Sequence, residues 1–198
     1  MDPGKDPLTL VGAGRRGLAL GRLLALADWP LEGIADASHD RALEATLLLG
    51  CPAFPDPREP AARSRFVLLA VPDEAVPALL RHLAPFLGPE TVVAHTGPAG
   101  SRLLRGVRLP LAWRPQGPVP APDSGVASLE GAPVLLEGHP EAVPRGAALV
   151  RALGGTPRVL DSPEEFLALA RPVVAEEQAP GKEDAKPSGH LDPAGNWR

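Results

Sequence analysis

The sequence predicts an α/β protein: a doubly wound, mostly parallel sheet with helices on both faces, then a short C-terminal helix and a disordered tail. Three observations carry that expectation. An apolar strand candidate, LTLVG, runs directly into glycines at 12, 14 and 17 and then into leucines at helical spacing. RFVLLAV (65–71) and TVVAHT (91–96) are almost wholly apolar, as strands buried on both faces must be. Strand candidates also alternate with helical ones at the spacing of repeated βαβ units, which makes successive strands parallel.

Element by element, LTLVG is the first strand, and Leu20, Leu23, Leu24 and Ala27 mark the helix after it, closed by DWP. LEGIADAS (31–38) is the second strand. A helix over about 40–49 follows, with Ser38 or Asp40 near its start and Gly50 as its C-cap. CPAFPDPREPAARS (51–64) is broken by prolines and holds a short strand and one helical turn. After RFVLLAV, a helix with Val76, Leu79, Leu80, Leu83 and Leu87 on one side leads to TVVAHT. GVRLPLAW (106–113) is a further strand candidate, followed by a Pro-rich loop over 114–123. APVLLEG (132–138), a helix over about 140–153 ending at Gly154 and Gly155, and TPRVLD (156–161) add strand, helix and strand. Ser162, Pro163 and Glu165 form an N-cap, a first-turn proline and a capping-box glutamate for a helix expected to reach Arg171. The expected organisation is a dinucleotide-binding domain over 1–161, a helical remnant over 162–178 and a disordered tail over 179–198.

Composition removes several function classes. The chain has 198 residues, 44% of them hydrophobic, enough for one substantial core. A net charge of −4 without a basic cluster argues against nucleic acid as a partner. No apolar run approaches a membrane span, and the opening MDPGKDP lacks the basic and apolar regions of a signal peptide, so the expected location is cytoplasmic. Cys51 is the single cysteine, which excludes an internal disulfide and reads as a buried or incidental thiol. His39, His82, His139 and His190 are scattered, so no metal site is expected. There is no Tyr, and the only lysines are Lys5, Lys182 and Lys186, so the central body offers neither as a proton donor.

The glycine turn points to a dinucleotide. Gly12 permits the tight turn, Gly14 lets the backbone approach a pyrophosphate, and Gly17 lets the new helix pack close to the sheet. Ala13 lies within that turn. The helix start then supplies N–H groups and partial positive charge. Arg15 and Arg16 either lie along the phosphates or are solvated helix charges. Asp36, closing the second strand, either accepts the adenosine ribose hydroxyls, which favours NAD over NADP, or serves the start of the next helix. Arg41 is the residue that would offset this preference by meeting a 2′-phosphate. Val71 and Pro72 fall where a strand's carboxyl end flanks the cofactor, and Asp73 reads as the cap of the next helix. His95 is the proton-transfer candidate, since it ends a central strand at the ligand-binding edge; the alternative is a hydrogen-bonded structural histidine. Thr96 and Gly97 are expected near the nicotinamide.

The segments VGAGRRGLALGRLL, FVLLAVPDEAV, VVAHTGPAG and GAPVLLEG, in that order, resemble a family of Rossmann-like proteins related to pyrroline-5-carboxylate reductase, ketopantoate reductase and the cofactor domain of 6-phosphogluconate dehydrogenase. The resemblance covers about residues 8–160 and implies a Rossmann-like sheet that binds NAD or NADP. Two departures stand out. Where the family commonly carries a His-Pro pair after its sixth strand, this chain has Trp113, Arg114 and Pro115. The residues after Leu160 are too few for the family's C-terminal helical domain, which supplies substrate pocket, dimer contact and, in related dehydrogenases, a catalytic lysine.

Two functions follow. One is an oxidoreductase moving hydride between a nicotinamide cofactor and a small carbonyl, hydroxy-acid or imine substrate, with His95 as acid and base. The other is a non-catalytic NAD(P)-binding sensor or regulatory module. The expected partners are the dinucleotide, a small-molecule substrate, and a second copy or separate helical subunit covering apolar surface near the C-terminal helix.

Overall fold

Strand, turn and helix, repeated across the chain, build the sheet seen in the computed structural model. It describes residues 5–170 except 118, 122 and 125–127. In chain order the elements are β1 (Leu8–Val11), α1 (Arg15–Leu26), β2 (Leu31–Ala35), α2 (His39–Leu49), β3 (Ala53–Phe54), α3 (Arg58–Arg63) and β4 (Phe66–Leu69). There follow α4 (Val76–Leu83), β5 (Val92–His95), β6 (Leu109–Pro115), β7 (Pro133–Gly138), α5 (Ala142–Ala152), β8 (Thr156–Val159) and α6 (Pro163–Leu169). The expected disordered tail and residues 171–178 of the expected helical remnant lie outside the described residues.

The eight strands form one sheet in the order β3-β2-β1-β4-β5-β6-β7-β8. Every neighbouring pair is parallel except β6 and β7, which run antiparallel with Trp113 opposite Leu136. From β1 the chain winds outward to β2 and β3, then returns to β4 on the other side of β1. That reversal opens a crevice at the carboxyl ends of β1 and β4, the place where open α/β sheets bind ligands.

Side chains on each strand alternate between two cores. On β4, Phe66 and Leu68 join Leu10, Leu20, Leu24 and Trp113, while Val67 and Leu69 join Val76, Leu79, Leu83 and Val93 on the opposite face. A smaller cluster of Ala112, Leu135, Leu160, Phe166 and Ala170 continues that second face under α6. The apolar surface expected to be bare near the C-terminal helix is therefore partly covered by the helix itself, with Phe166 wholly buried. Burial rather than intrinsic propensity holds such a short helix in place.

Candidate functional site

The three glycines of the first turn have different reasons to be glycine. Gly12 has φ +108°, and a Cβ there would meet the Ala70 carbonyl oxygen at 2.5 Å. At Gly17 a Cβ would lie 1.8 Å from the Gly12 carbonyl oxygen. Both are demanded by the protein's own packing. Gly14 is not: it has ordinary φ −72°, and a Cβ would meet nothing within 4 Å. Gly14 is also the N-cap of α1, whose start has no side-chain cap and no acidic residue in its first turn. The starts of α2 and α6, by contrast, are capped by Ser38 and Ser162, whose hydroxyls accept from the Arg41 and Glu165 N–H groups at 3.4 and 3.1 Å. The positive end of α1 thus faces open space beside Gly14.

Asp36 closes β2 and braces this turn. Its side chain is only 2% exposed. One oxygen accepts from the Ala13 N–H at 2.7 Å, and the other accepts from the Ser38 N–H at 2.8 Å and from Arg41 Nη2 at 2.9 Å. These three hydrogen bonds hold the glycine turn to the β2–α2 corner and leave part of the carboxylate's acceptor capacity unused. Arg41 Nε is buried and has no hydrogen-bond partner among the described residues.

A cleft of about 470 Å³ opens beside Gly14, lined by the α1 start, by Ala70–Glu74 after β4 and by Thr96–Pro98 after β5. Gly14, Arg15, Arg16, Val71, Pro72, Thr96 and Gly97 are thus brought together around one cleft. A larger groove of about 690 Å³ lies beside Thr91 and Arg108, which enter β5 and β6. That is the opposite edge of the sheet from the glycine turn, so the smaller cleft is the candidate site.

His95 does not line the cleft. Its ring is wholly buried, with Nε2 3.2 Å from the Val71 carbonyl oxygen and 3.5 Å from Asp73 Oδ1. Burial holds the imidazole below its ordinary pKa, against the opposing pull of the Val71 carbonyl and Asp73. Nδ1 is buried without a partner among the described residues. Gly97 is glycine because of this corner: a Cβ there would lie 2.0 Å from Asp73 Oδ1 and 2.3 Å from His95 Cε1.

Asp73 corrects a sequence reading. It makes no side-chain cap on the helical turn it enters. Instead its Oδ2 accepts from the Ala99 N–H at 3.1 Å, tying the loop after β4 to the loop after β5. Asp73 belongs to the site, and only the two loops' proximity in space reveals it. Arg114, noted in the sequence only as a departure, also reaches this corner. Arg114 Nη1 donates to the Thr96 carbonyl oxygen at 3.2 Å, and Arg16 Nη1 donates to the same oxygen at 3.5 Å. Cys51, by contrast, is a buried thiol pushed up to about 11 by desolvation and lies outside the site. Among the described residues no helix is long and apolar enough to cross a membrane.

The model of the Rossmann-like domain family matches residues 2–120, which include the turn, the cleft and β1 to β6. The chain belongs to this Rossmann-like domain family. No curated protein matches it. Among solved structures, it is similar to prephenate dehydrogenase from Aquifex aeolicus in complex with hydroxyphenyl propionate and NAD+, with 16% identity and a TM-score of 0.70, over 84% of this chain and 63% of that one. It is also similar to a pyrroline-5-carboxylate reductase from Coxiella burnetii, with 15% identity and a TM-score of 0.66, over 82% and 61%. A third likeness is to 3-hydroxyisobutyrate dehydrogenase from Mycobacterium tuberculosis, with 18% identity and a TM-score of 0.66, over 78% and 54%. Identities this low establish the fold, and this Rossmann-like chain spans less than two thirds of each of these proteins. The family and the pyrroline-5-carboxylate reductase likeness implied by the sequence motifs are both found again here.

Proposed function

We propose that this Rossmann-like domain binds NAD(H) or NADP(H) at the Gly12–Gly17 turn and moves a hydride between the cofactor and a small carbonyl, hydroxy-acid or imine substrate. The observation that carries the reading is Gly14: a position with ordinary backbone and open space, at the uncapped start of α1, where a side chain is missing for no reason internal to the protein. A pyrophosphate would fill that space against the helix dipole. Arg15 and Arg16 would flank it, Ala13 and Asp36 would hold the turn rigid, and Val71, Pro72, Thr96 and Gly97 would border the nicotinamide end. When bound, the cofactor supplies or accepts the hydride. Asp73, on the cleft wall, is the group placed to exchange a proton with a substrate, and the buried His95 would hold it in position rather than touch the substrate.

The test is calorimetric titration of NADH and NADPH into the wild type and Gly14→Val. A valine is allowed by the backbone at 14 and blocks only the space outside it, so the variant should stay folded and lose binding. Equal affinity in a folded variant overturns the reading. A second reading, the non-catalytic sensor, is favoured by the burial of His95 and the absence of Tyr and Lys among the described residues that line the cleft. Tight cofactor binding without nicotinamide turnover by any small carbonyl, hydroxy acid or imine would select it.

A further inference from the structure

We propose that Arg114 is a positioning residue: through the Thr96 carbonyl it fixes the Thr96–Pro98 wall of the cleft, so that the nicotinamide end of the cofactor meets a rigid surface. The inference rests on the cofactor reading above. Arg114 is not among the residues lining the cleft, and it acts through Thr96, which is. It lies on β6 two residues beyond Ala112, which pairs in register with His95. The residue is only 7% exposed, and its Nη1 reaches the segment leaving β5, where it donates to the Thr96 carbonyl oxygen at 3.2 Å. That is the guanidinium's one hydrogen bond among the described residues.

The wall is tied from the other side as well. The Thr96 N–H and Oγ1 both donate to the Leu69 carbonyl at the end of β4, at 3.1 and 3.3 Å, and the Ala99 N–H donates to Asp73 Oδ2 at 3.1 Å. Since β4 and β6 flank β5, Arg114 completes a grip on the wall from both neighbouring strands. Gly97 cannot wedge itself in place, because a Cβ there would lie 2.0 Å from Asp73 Oδ1. Stability alone does not account for an arginine at 114. One neutral carbonyl replaces only part of the hydration that a buried guanidinium gives up, and an apolar side chain of similar volume would pack without that cost. Burial first, and then the like charge of Arg16, disfavour the cation here, with Asp73 working the other way. What the guanidinium supplies, and an apolar side chain does not, is a directed N–H aimed at a backbone oxygen of the cleft wall.

The test is calorimetric titration in pairs: whichever of NADH and NADPH binds the wild type, and the matching molecule without nicotinamide, ADP-ribose or its 2′-phosphate. The fragment reads the Gly12–Gly17 turn, and the ratio of the two affinities reads the nicotinamide end. Arg114→Met is expected to lower that ratio at least about fivefold, the worth of one hydrogen bond. Fragment affinity should stay within about twofold, and the thermal midpoint should hold or rise. Arg114→Lys keeps an N–H donor and is expected to recover part of the loss. A merely structural arginine gives another pattern, in which the methionine variant melts earlier or fails to fold and weakens both ligands alike. That pattern overturns the proposal, as does an unchanged ratio in a folded Arg114→Met, or a lysine variant no better than the methionine one. A wild type that binds neither dinucleotide removes the cofactor reading first, and this inference with it. A wild type that binds dinucleotide and fragment equally leaves cofactor binding standing and overturns this inference alone.

Discussion

Gly14 and Gly17 stand in one turn yet answer to different constraints, and mutation separates them. Gly17→Ala drives a methyl into the Gly12 carbonyl, so we expect a loss of about 3 kcal/mol in chemical denaturation, whereas Gly14→Ala should leave stability within about 0.5 kcal/mol. Asp36 and Arg41 form a second separable pair. Removing Arg41 uncovers a carboxylate near the expected ribose end, so Arg41→Ala should lower NADPH affinity by roughly tenfold while NADH affinity changes little, as competing titrations would read. His95 gives a pH prediction. Its folded pKa is depressed, so between that value and the unfolded one of about 6.5 the unfolded chain binds the extra proton. Stability is thus fully present above about pH 6.5 and falls as the pH drops below it. His95→Gln should flatten that fall in denaturation curves taken from pH 7.5 to 5.5, and an unchanged slope would remove the depressed histidine from the account.

At the scale of elements, α6 is the clearest case of local rules agreeing with packing. Ser162 caps it, Pro163 opens it, and Glu165 reaches back to the Asp161 N–H at 3.2 Å, one residue before the position a capping box would use. Ser162→Ala should cost about 1 kcal/mol and Phe166→Ala about 3–5 kcal/mol by thermal or chemical denaturation, because the ring fills the space over Gly100 and Leu135. Such features were legible because each depends on neighbours in the chain: apolar runs mark β4 and β5, and Ser38 and Gly50 bracket α2. The site was legible only in part. The glycine turn is a local pattern, and its cleft partners sit at strand ends that pattern predicts. Most partners of Asp36, Asp73 and His95 are backbone groups brought together by the sheet, and backbone groups leave no mark in a sequence. The antiparallel step from β6 to β7 was illegible for a related reason, since the loop's residue types do not state the direction in which the next strand returns.

At the scale of the whole molecule, every residue lining the cleft comes from one sheet edge and the loops after it, so closure over a substrate would need a cover from beyond that edge. We expect a second copy, or a separate helical subunit, to provide it. Light scattering at micromolar concentration should read twice the chain's 20.6 kDa for the homodimer; a single-chain particle already turning over substrate would end that expectation. The family match stops at residue 120, near the point where the sheet changes direction, and that boundary invites dissection. Trp113 argues against it: the indole is wholly buried and donates to the Gly146 carbonyl at 3.2 Å, while Leu111 packs against Gly146 of the same helix. An expression fragment ending at 120 would carry a naked tryptophan and an open sheet edge into solution and should precipitate, so for biophysical work the shared domain of the family is not a detachable cassette in this molecule.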